Sequence, residues 1–225
     1  MPQWLASLIA ALIGASVGSI GAVIASDMSK RKAELRERRE ALVQRYLYQL
    51  QDSAVSLWYR LDNLHRRRGR DMMDDQYFQT TTLYSLGRVL AIERLLALEG
   101  VYPQLATLYP ELGSFLGVHR LDRALPDSFY QYDRLALAEA VMEREGDRSR
   151  ASTYLEFRRR YESEESGEGK WLAPAREAIE GLGKETTSNL LDELSTVARR
   201  LSTETRIPSG LRGEDEPKPS GTHPT

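Results

Sequence analysis

The pentapeptide Gly14-Ala15-Ser16-Val17-Gly18 has the spacing of a serine nucleophile motif. In that motif the serine lies on a sharp strand-to-helix turn, where its hydroxyl attacks an acyl carbon with help from a histidine and an acid. Here the serine lies inside an uncharged apolar run, which does not provide such a turn. We therefore predict no catalytic role for this serine, and no other residue is predicted to be catalytic.

Residue types that bind metals and cofactors are scarce. The chain has no cysteine, and its three histidines, His65, His119 and His223, are too far apart for a metal-ligand motif. Gly167-Glu168-Gly169-Lys170 lacks the spacing of a phosphate-binding loop and the serine or threonine that follows its lysine. We therefore expect no metal ion and no cofactor.

The polar side chains best able to face an interior are Arg60, Asp62, His65, Tyr84 and Arg88. They cannot all point the same way, because neighbouring side chains on a helix point in different directions. We expect Arg60 or Arg88 to form a buried ion pair that fixes the register of two helices. The alternative is a ligand or catalytic site, a pocket lined by Arg60, Tyr84 and Arg88 with perturbed pKa values.

The elements that carry these residues are predicted to be helices. An apolar stripe in steps of four and three residues predicts a core helix of a bundle, with a two-stranded coiled coil as the alternative. The stripe consists of Val43, Leu47, Leu50, Ala54, Leu57, Leu61 and Leu64. Further helices are predicted over residues 77–99, 127–145, 149–163, 173–182 and 187–203, with short helices and turns over 104–126. Because strand alternation is not convincing anywhere, we predict an all-α fold: an N-terminal transmembrane helix followed by a cytoplasmic helical bundle.

Residues 5–26 contain no charged side chain. As a helix this run would be about 33 Å long, against roughly 30 Å for the hydrocarbon core of a bilayer. Trp4 lies at one end, and a basic cluster follows the other end: Lys30, Arg31, Lys32, Arg36, Arg38 and Arg39. By the positive-inside rule we expect a single-pass protein of the cell (inner) membrane, with most of the chain in the cytoplasm.

A cleaved signal peptide is the alternative for this segment. Val23-Ile24-Ala25 before Ser26 has the small residue that signal peptidase needs. However, no lysine or arginine precedes the apolar run, and the run exceeds the 7–15 residues that are usual for the apolar region of a signal peptide. Cleavage would place the bundle outside the cytoplasm.

Small residues share one face of the predicted transmembrane helix, and they allow two helix backbones to approach closely in lipid. They are Ser7, Ala11, Gly14, Gly18, Gly21 and Ala25. We therefore expect the chain to form a homo-oligomer through this helix.

The sequence divides into four predicted parts: a transmembrane helix with a short extracytoplasmic N-terminus (1–26), a basic juxtamembrane helix (27–41), a helical bundle (42–204) and a disordered tail (205–225). Residues 30–70 carry a net charge of +7, and residues 71–225 carry −8. The basic part could favour anionic lipid. Nucleic-acid binding is not expected, because no aromatic residues alternate with the basic ones and the rest of the bundle is acidic.

Four stretches resemble a family of uncharacterised bacterial proteins with a membrane anchor and a helical domain. They are residues 57–64 (LWYRLDNL), 82–88 (TLYSLGR), 154–157 (YLEF) and 171–174 (WLAP). The resemblance covers most of residues 45–200 and implies a helical domain, a membrane anchor and no catalytic residues. The excess of 26 arginines over five lysines indicates a GC-rich bacterial genome.

Three functions are consistent with these patterns. The first is a membrane-anchored interaction or scaffold protein, which self-associates through its transmembrane helix and offers its acidic bundle to a protein partner. The second is an enzyme or ligand sensor with an unrecognised site in the bundle. The third is an effector that binds anionic lipid or nucleic acid through residues 30–70, with binding that weakens steeply with salt.

Overall fold

The computed structural model describes residues 26–66, 76–117, 120–146, 148–163 and 167–211. The chain forms two compact units, Met1–Val43 and Gln44–Thr225. In the first unit, residues 26–42 form helix α1, and residues 26–41 are exposed. The predicted small-residue face, the alternative cleavage site and nearly all of the predicted transmembrane helix lie outside the described residues. Within the described ranges, no helix is long and apolar enough to cross a membrane.

The second unit is mostly helical. A π-helical turn, Val43–Leu47, contains the boundary between the units. The helices after this turn are α2 (Tyr48–Arg66), α3 (Gln76–Leu98), α4 (Val101–Leu108), α5 (Pro110–Leu116), α6 (Arg120–Arg123), α7 (Gln131–Ala140), α8 (Tyr154–Glu162), α9 (Glu168–Trp171), α10 (Ala173–Glu180) and α11 (Lys184–Thr205). An antiparallel hairpin of β1 (Met142–Glu145) and β2 (Arg148–Ala151) lies between α7 and α8.

Helix α3 is the centre of this unit. It packs against α2, α4, α6, α7, α8, α10 and β2. Its apolar residues are buried around most of its circumference, among them Leu83, Leu90 and Leu96. Gly87 permits the close approach of α7, because a Cβ at this position would lie 2.6 Å from Val141 Cγ2 and 3.1 Å from Leu137 Cδ1.

Five of the seven residues in the apolar stripe of the predicted core helix are buried, whereas Val43 and Leu64 at its two ends are only partly buried. Leu47, Leu50, Ala54, Leu57 and Leu61 all lie in the core. Helix α2 packs against α3 and also against α11, which buries a matching stripe of Leu190, Leu194, Val197, Ala198 and Leu201. The partners of the stripe are therefore helices of the same chain, and the prediction of a helical bundle is confirmed.

The hairpin differs from the sequence prediction. The sequence predicts a helix from 127 to 145 and another from 149, whereas α7 ends at Ala140 and α8 begins only at Tyr154. Gly146 has a φ of 62°, which suits the turn between the strands. Arg150 pairs with Glu143 on the facing strand at 2.5 Å. Charged residues of alternating sign thus stabilise a short hairpin here, although the same residues also fit a solvated helix surface.

The C-terminal end also differs from prediction. Helix α11 continues to Thr205, and Arg206 then leaves the helix with a φ of 61°. Residues 206–211, which we call the strap, lie along α2 and bury Ser209 and Leu211. The predicted disordered tail starts at residue 205, so the folded part extends further than composition indicates. Residues 212–225 lie outside the described residues.

Candidate functional site

Arg60 joins α2 to the beginning of α3. Its Nε donates to Thr82 Oγ1 at 2.9 Å, and its Nη2 donates to the carbonyl oxygen of Phe78 at 2.8 Å. Nη2 also donates to Thr81 Oγ1. The guanidinium carbon lies 4.6 Å from the centre of the Phe78 ring, within the range of a cation–π contact. These contacts fix the register of the two helices through hydrogen bonds.

Arg88 and Tyr84 make separate contacts further along α3. Arg88 Nη2 lies 2.7 Å from Asp52 Oδ2 on α2, so Arg88 forms the interhelical ion pair that the sequence suggested, although both side chains are only partly buried. The Tyr84 hydroxyl donates to the carbonyl oxygen of Ser152 at 2.9 Å and so holds the end of β2. Burial raises the pKa of the Tyr84 hydroxyl, and the nearby Arg88 opposes the shift.

Asp62 and His65 do not join these contacts. Asp62 pairs with Arg66 on its own helix at 2.7 Å, and His65 is exposed. Phe78, which Arg60 contacts, and Arg88 are also ten residues apart on α3, which corresponds to about 15 Å along the helix axis at a rise of about 1.5 Å per residue. The five candidate residues therefore do not converge on one site. Arg60, Tyr84 and Arg88 each bind other elements of the bundle.

A network of charged side chains connects the hairpin to α8. Arg150 binds both carboxylate oxygens of Glu156, at 2.8 and 3.0 Å. Arg160 donates to the carbonyl oxygen of Ala140 at 2.6 Å. Hydrogen bonds from Arg150 and from the backbone of Thr153 hold the pKa of Glu156 well below its usual value. Glu156 also completes a capping box with Thr153, which fixes the first turn of α8.

Glu93 is a buried carboxylate on α3, with only 2% of its surface exposed. Its Oε1 accepts a hydrogen bond from the backbone amide of Leu121, and its Oε2 accepts one from Asp122, both at 2.8 Å. Burial raises the pKa of Glu93 to about 7, although these two hydrogen bonds oppose the shift. Glu93 thus attaches the short helix α6 to the core.

The strap lies against one face of α2. Gln51 Nε2 donates to the carbonyl oxygens of Pro208 at 2.6 Å and Ile207 at 3.4 Å. The Tyr59 hydroxyl donates to the carbonyl oxygen of Gly210 at 2.8 Å. Two side chains of α2 therefore bind three main-chain carbonyls of the strap, which contains no helix or strand.

Sequence reasoning missed Glu93, Gln51, Tyr59 and Arg150. A signal existed for Glu93, because an acidic residue between Ile92 and Leu95 interrupts an otherwise apolar stretch of helix. A signal also existed for Glu156, since Thr153 and Glu156 have capping-box spacing. No sequence signal identified Gln51 or Tyr59, because their partners are backbone carbonyls some 150 residues away in the chain.

In the described part of the chain, no group of three or more histidine, aspartate or glutamate side chains could hold a metal ion. Comparison of the chain with protein-family models, with curated protein sequences and with solved structures finds no match. A function for this chain must therefore be inferred from its sequence and from the geometry of the bundle.

Proposed function

We propose that this chain is a membrane-anchored interaction protein. In this proposal residues 5–26 form the anchor, the basic residues after them keep the bundle in the cytoplasm, and the bundle binds a partner protein. The support for the anchor is the uncharged apolar run, which is long enough to span a bilayer and has basic residues on one side only.

The observation that carries the docking role is the set of large apolar side chains on the surface of the bundle. Trp171 on α9 is 78% exposed and Leu155 on α8 is 69% exposed, and these two helices contact each other. Tyr130 and Tyr132 are exposed at the start of α7. Aromatic side chains are enriched at protein–protein interfaces, where they supply much of the binding energy.

The polar contacts favour this role over an enzyme or ligand sensor. Such a site would need Arg60, Tyr84 and Arg88 to converge on a shared pocket. Instead Arg60 binds the start of α3, Arg88 binds Asp52, and Tyr84 binds the end of β2. Their hydrogen-bonding atoms thus contribute to the stability of the bundle.

A second candidate function is contact with anionic lipid through the basic residues of α1. Every residue from 26 to 41 is exposed, so the basic side chains of this helix are accessible to a membrane surface. We expect a chain that starts at residue 27, and so lacks the proposed anchor, to bind anionic vesicles, and we expect this binding to weaken strongly as the salt concentration rises. Equal binding to vesicles of neutral lipid would contradict it.

The anchor and its orientation are tested by alkaline extraction of native membranes and by protease treatment from the cytoplasmic side. We expect the full chain to stay in the membrane pellet, and a chain starting at residue 27 to be released. The bundle should be digested when the cytoplasmic side is accessible. Release of the full chain by alkali would contradict the anchor, and protection of the bundle would contradict the orientation.

Self-association of the anchor is tested by replacing Gly14 and Gly18 with leucine. Bulky side chains on the small-residue face would keep the two backbones apart. We expect the double variant to lose dimer bands in a membrane-helix association assay. Unchanged association would contradict an oligomer formed through this face.

A further inference from the structure

The charged side chains of α1 are divided between two faces of this helix. Successive residues of an α-helix are rotated by about 100°, which fixes the direction of each residue from 26 to 42. The half of the helix centred on the line through Met28 and Leu35, which we call the basic face, carries Arg31, Lys32, Arg36, Arg38 and Arg39. The other half carries Glu34, Glu37, Glu40 and Lys30, and Asp27 lies at the edge between the two halves.

Two apolar side chains lie along the middle of the basic face. Met28 and Leu35 are seven residues apart and therefore differ by only about 20° in direction. Met28 is 54% exposed and Leu35 is 47% exposed. Basic residues lie on both sides of this apolar line: Arg31 and Arg38 on one side, Lys32, Arg36 and Arg39 on the other. A helix with an apolar line between basic rows, and with acidic residues on its opposite side, has the pattern of a helix that lies in a membrane interface.

The basic face is accessible to solvent. Every residue from 26 to 41 is exposed. Arg31 pairs with Asp27 at 3.0 Å, but its side chain remains 75% exposed. An ion pair this exposed contributes little, so Arg31 can still approach an anionic group. The face therefore offers positive charge to a negatively charged surface, whereas the acidic half would be repelled by that surface.

We propose that α1 lies flat on an anionic bilayer, with Met28 and Leu35 among the lipid chains and the basic face against the phosphates. A nucleic acid would complement the charge of the basic rows, but it has no hydrocarbon to receive the apolar line between them. This inference rests on the proposed function, because the proposed anchor places the beginning of α1 at the membrane surface. It adds the orientation of α1 and a requirement for anionic lipid.

A flat helix and an upright stalk predict different depths for three positions. In a flat helix Met28 and Leu35 lie at the same depth in the lipid. Ala33 is about 160° away from Leu35 and so faces water. In an upright stalk Leu35 lies about 10 Å further from the bilayer than Met28, and Leu35 and Ala33 lie at nearly the same height.

The test uses the full chain with one fluorescent label. Because the chain has no cysteine, Met28→Cys, Leu35→Cys and Ala33→Cys each provide a single labelling position. Each labelled chain is reconstituted into vesicles whose acyl chains carry a quencher. In vesicles that contain phosphatidylserine, we expect equal quenching at positions 28 and 35, at least about twofold stronger than at position 33. In vesicles of phosphatidylcholine alone, this excess should fall by at least about half.

Two pairs of substitutions separate the basic face from net charge. Arg36→Gln with Arg39→Gln removes two positive charges from the basic face. Lys30→Gln with Ala41→Glu lowers the net charge by the same amount on the other half of the helix, where Ala41 is also exposed. The label at position 35 should lose most of its quenching in the first pair and keep it in the second. Equal loss in both pairs would overturn the proposal, because net charge alone would then account for the contact.

Equal quenching at positions 33 and 35 on anionic vesicles would also overturn the proposal. So would quenching that is strong at position 28 and weak at position 35, which is the result for an upright stalk. A label at position 35 that stays in water on these vesicles but is shielded by added RNA would overturn it in favour of a nucleic acid. Alkaline extraction of the same vesicles tests the anchor separately. A chain that resists alkali but has no quenching at position 35 overturns only the orientation of α1, whereas release by alkali contradicts the proposed function.

Discussion

Glu93 makes the stability of the bundle depend on pH in an unusual direction. The carboxyl is buried, and its pKa is raised from 4.5 to about 7 in the folded chain. The charged groups that act on it most strongly are Asp122, which raises its pKa, and Arg123, which lowers it. Between pH 4.5 and 7 the folded chain therefore holds a proton at Glu93 that the unfolded chain has lost. Stability from this group is complete below pH 4.5 and is lost as the pH rises through 7.

The size of the effect can be calculated from the shift. A pKa difference of one unit corresponds to 1.36 kcal/mol, so the shift at Glu93 corresponds to about 3 kcal/mol at full ionisation. Over the accessible range from pH 5 to pH 8, we expect this group alone to lower the free energy of unfolding by about 2 to 3 kcal/mol.

The perturbation that isolates this contribution is Glu93→Gln. The glutamine has no charge at any pH and resembles the protonated glutamate, since it has one acceptor oxygen for the two amides of Leu121 and Asp122. When the free energy of unfolding of the wild type is subtracted from that of the variant, the pH-dependent contributions of all other titrating groups cancel. We expect this difference to increase by about 2 to 3 kcal/mol in favour of the variant from pH 5 to pH 8.

The assay is urea unfolding of the full chain in nonionic detergent, monitored by circular dichroism at half-unit pH steps. Glu185→Gln, which replaces an exposed glutamate on α11, serves as the matched control for the loss of a surface carboxylate. A flat difference for Glu93→Gln would refute the argument. A difference that changes in the opposite direction would mean that the two amide hydrogen bonds outweigh burial and that the pKa is lowered.

Three further predictions concern packing and capping, and each is measured as the change in free energy of unfolding of the full chain. Leu57→Ala should lower the free energy of unfolding by about 2–5 kcal/mol, because it opens a cavity beneath α2. Leu98→Ala, at an exposed position, should lower it by less than about 0.5 kcal/mol. Equal losses in the two variants would contradict the assigned core. Gly87→Ala should lower the free energy of unfolding by about 1–3 kcal/mol, since the added Cβ would overlap Val141. Val141→Ala in the same chain should restore part of this loss. Losses of the two single variants that simply add in the double variant would contradict this contact. Thr153→Ala should cost about 0.5–2 kcal/mol through loss of the capping box of α8, and no cost would show that the cap contributes nothing.

The helices with strong apolar periodicity could be predicted from sequence. The stripe of α2 and the residues of α11 repeat every three to four positions, and a buried face of a helix requires that spacing. The predicted range 77–99 matches α3 within one residue at each end. Its central position was not evident, because a helix that is apolar around most of its surface does not show which neighbours cover it.

The missed features depend on pairing between distant residues. The hairpin contains Glu143, Arg144 and Glu145 on one strand, and only the facing strand decides between hairpin and helix. The strap has the composition of a tail, because proline and glycine usually indicate disorder, but it is bound by two side chains of α2. The sequence identified Arg60, Tyr84 and Arg88 as polar residues that could face the interior. Their binding partners could not be predicted, because these depend on which elements pack next to α2 and α3.

The measurement that tests the central claim most directly is affinity purification of the full chain from its native membranes after mild cross-linking, with quantitative mass spectrometry of the bound proteins. A matched variant carries Leu155→Asp and Trp171→Ala, which alter exposed side chains only. We expect one protein to copurify with the wild-type chain in a fixed ratio from the membrane fraction, and to be depleted with the variant. Recovery of the wild-type chain from the membrane-free fraction, or from membranes as a homo-oligomer without another protein, would contradict a membrane-anchored interaction protein.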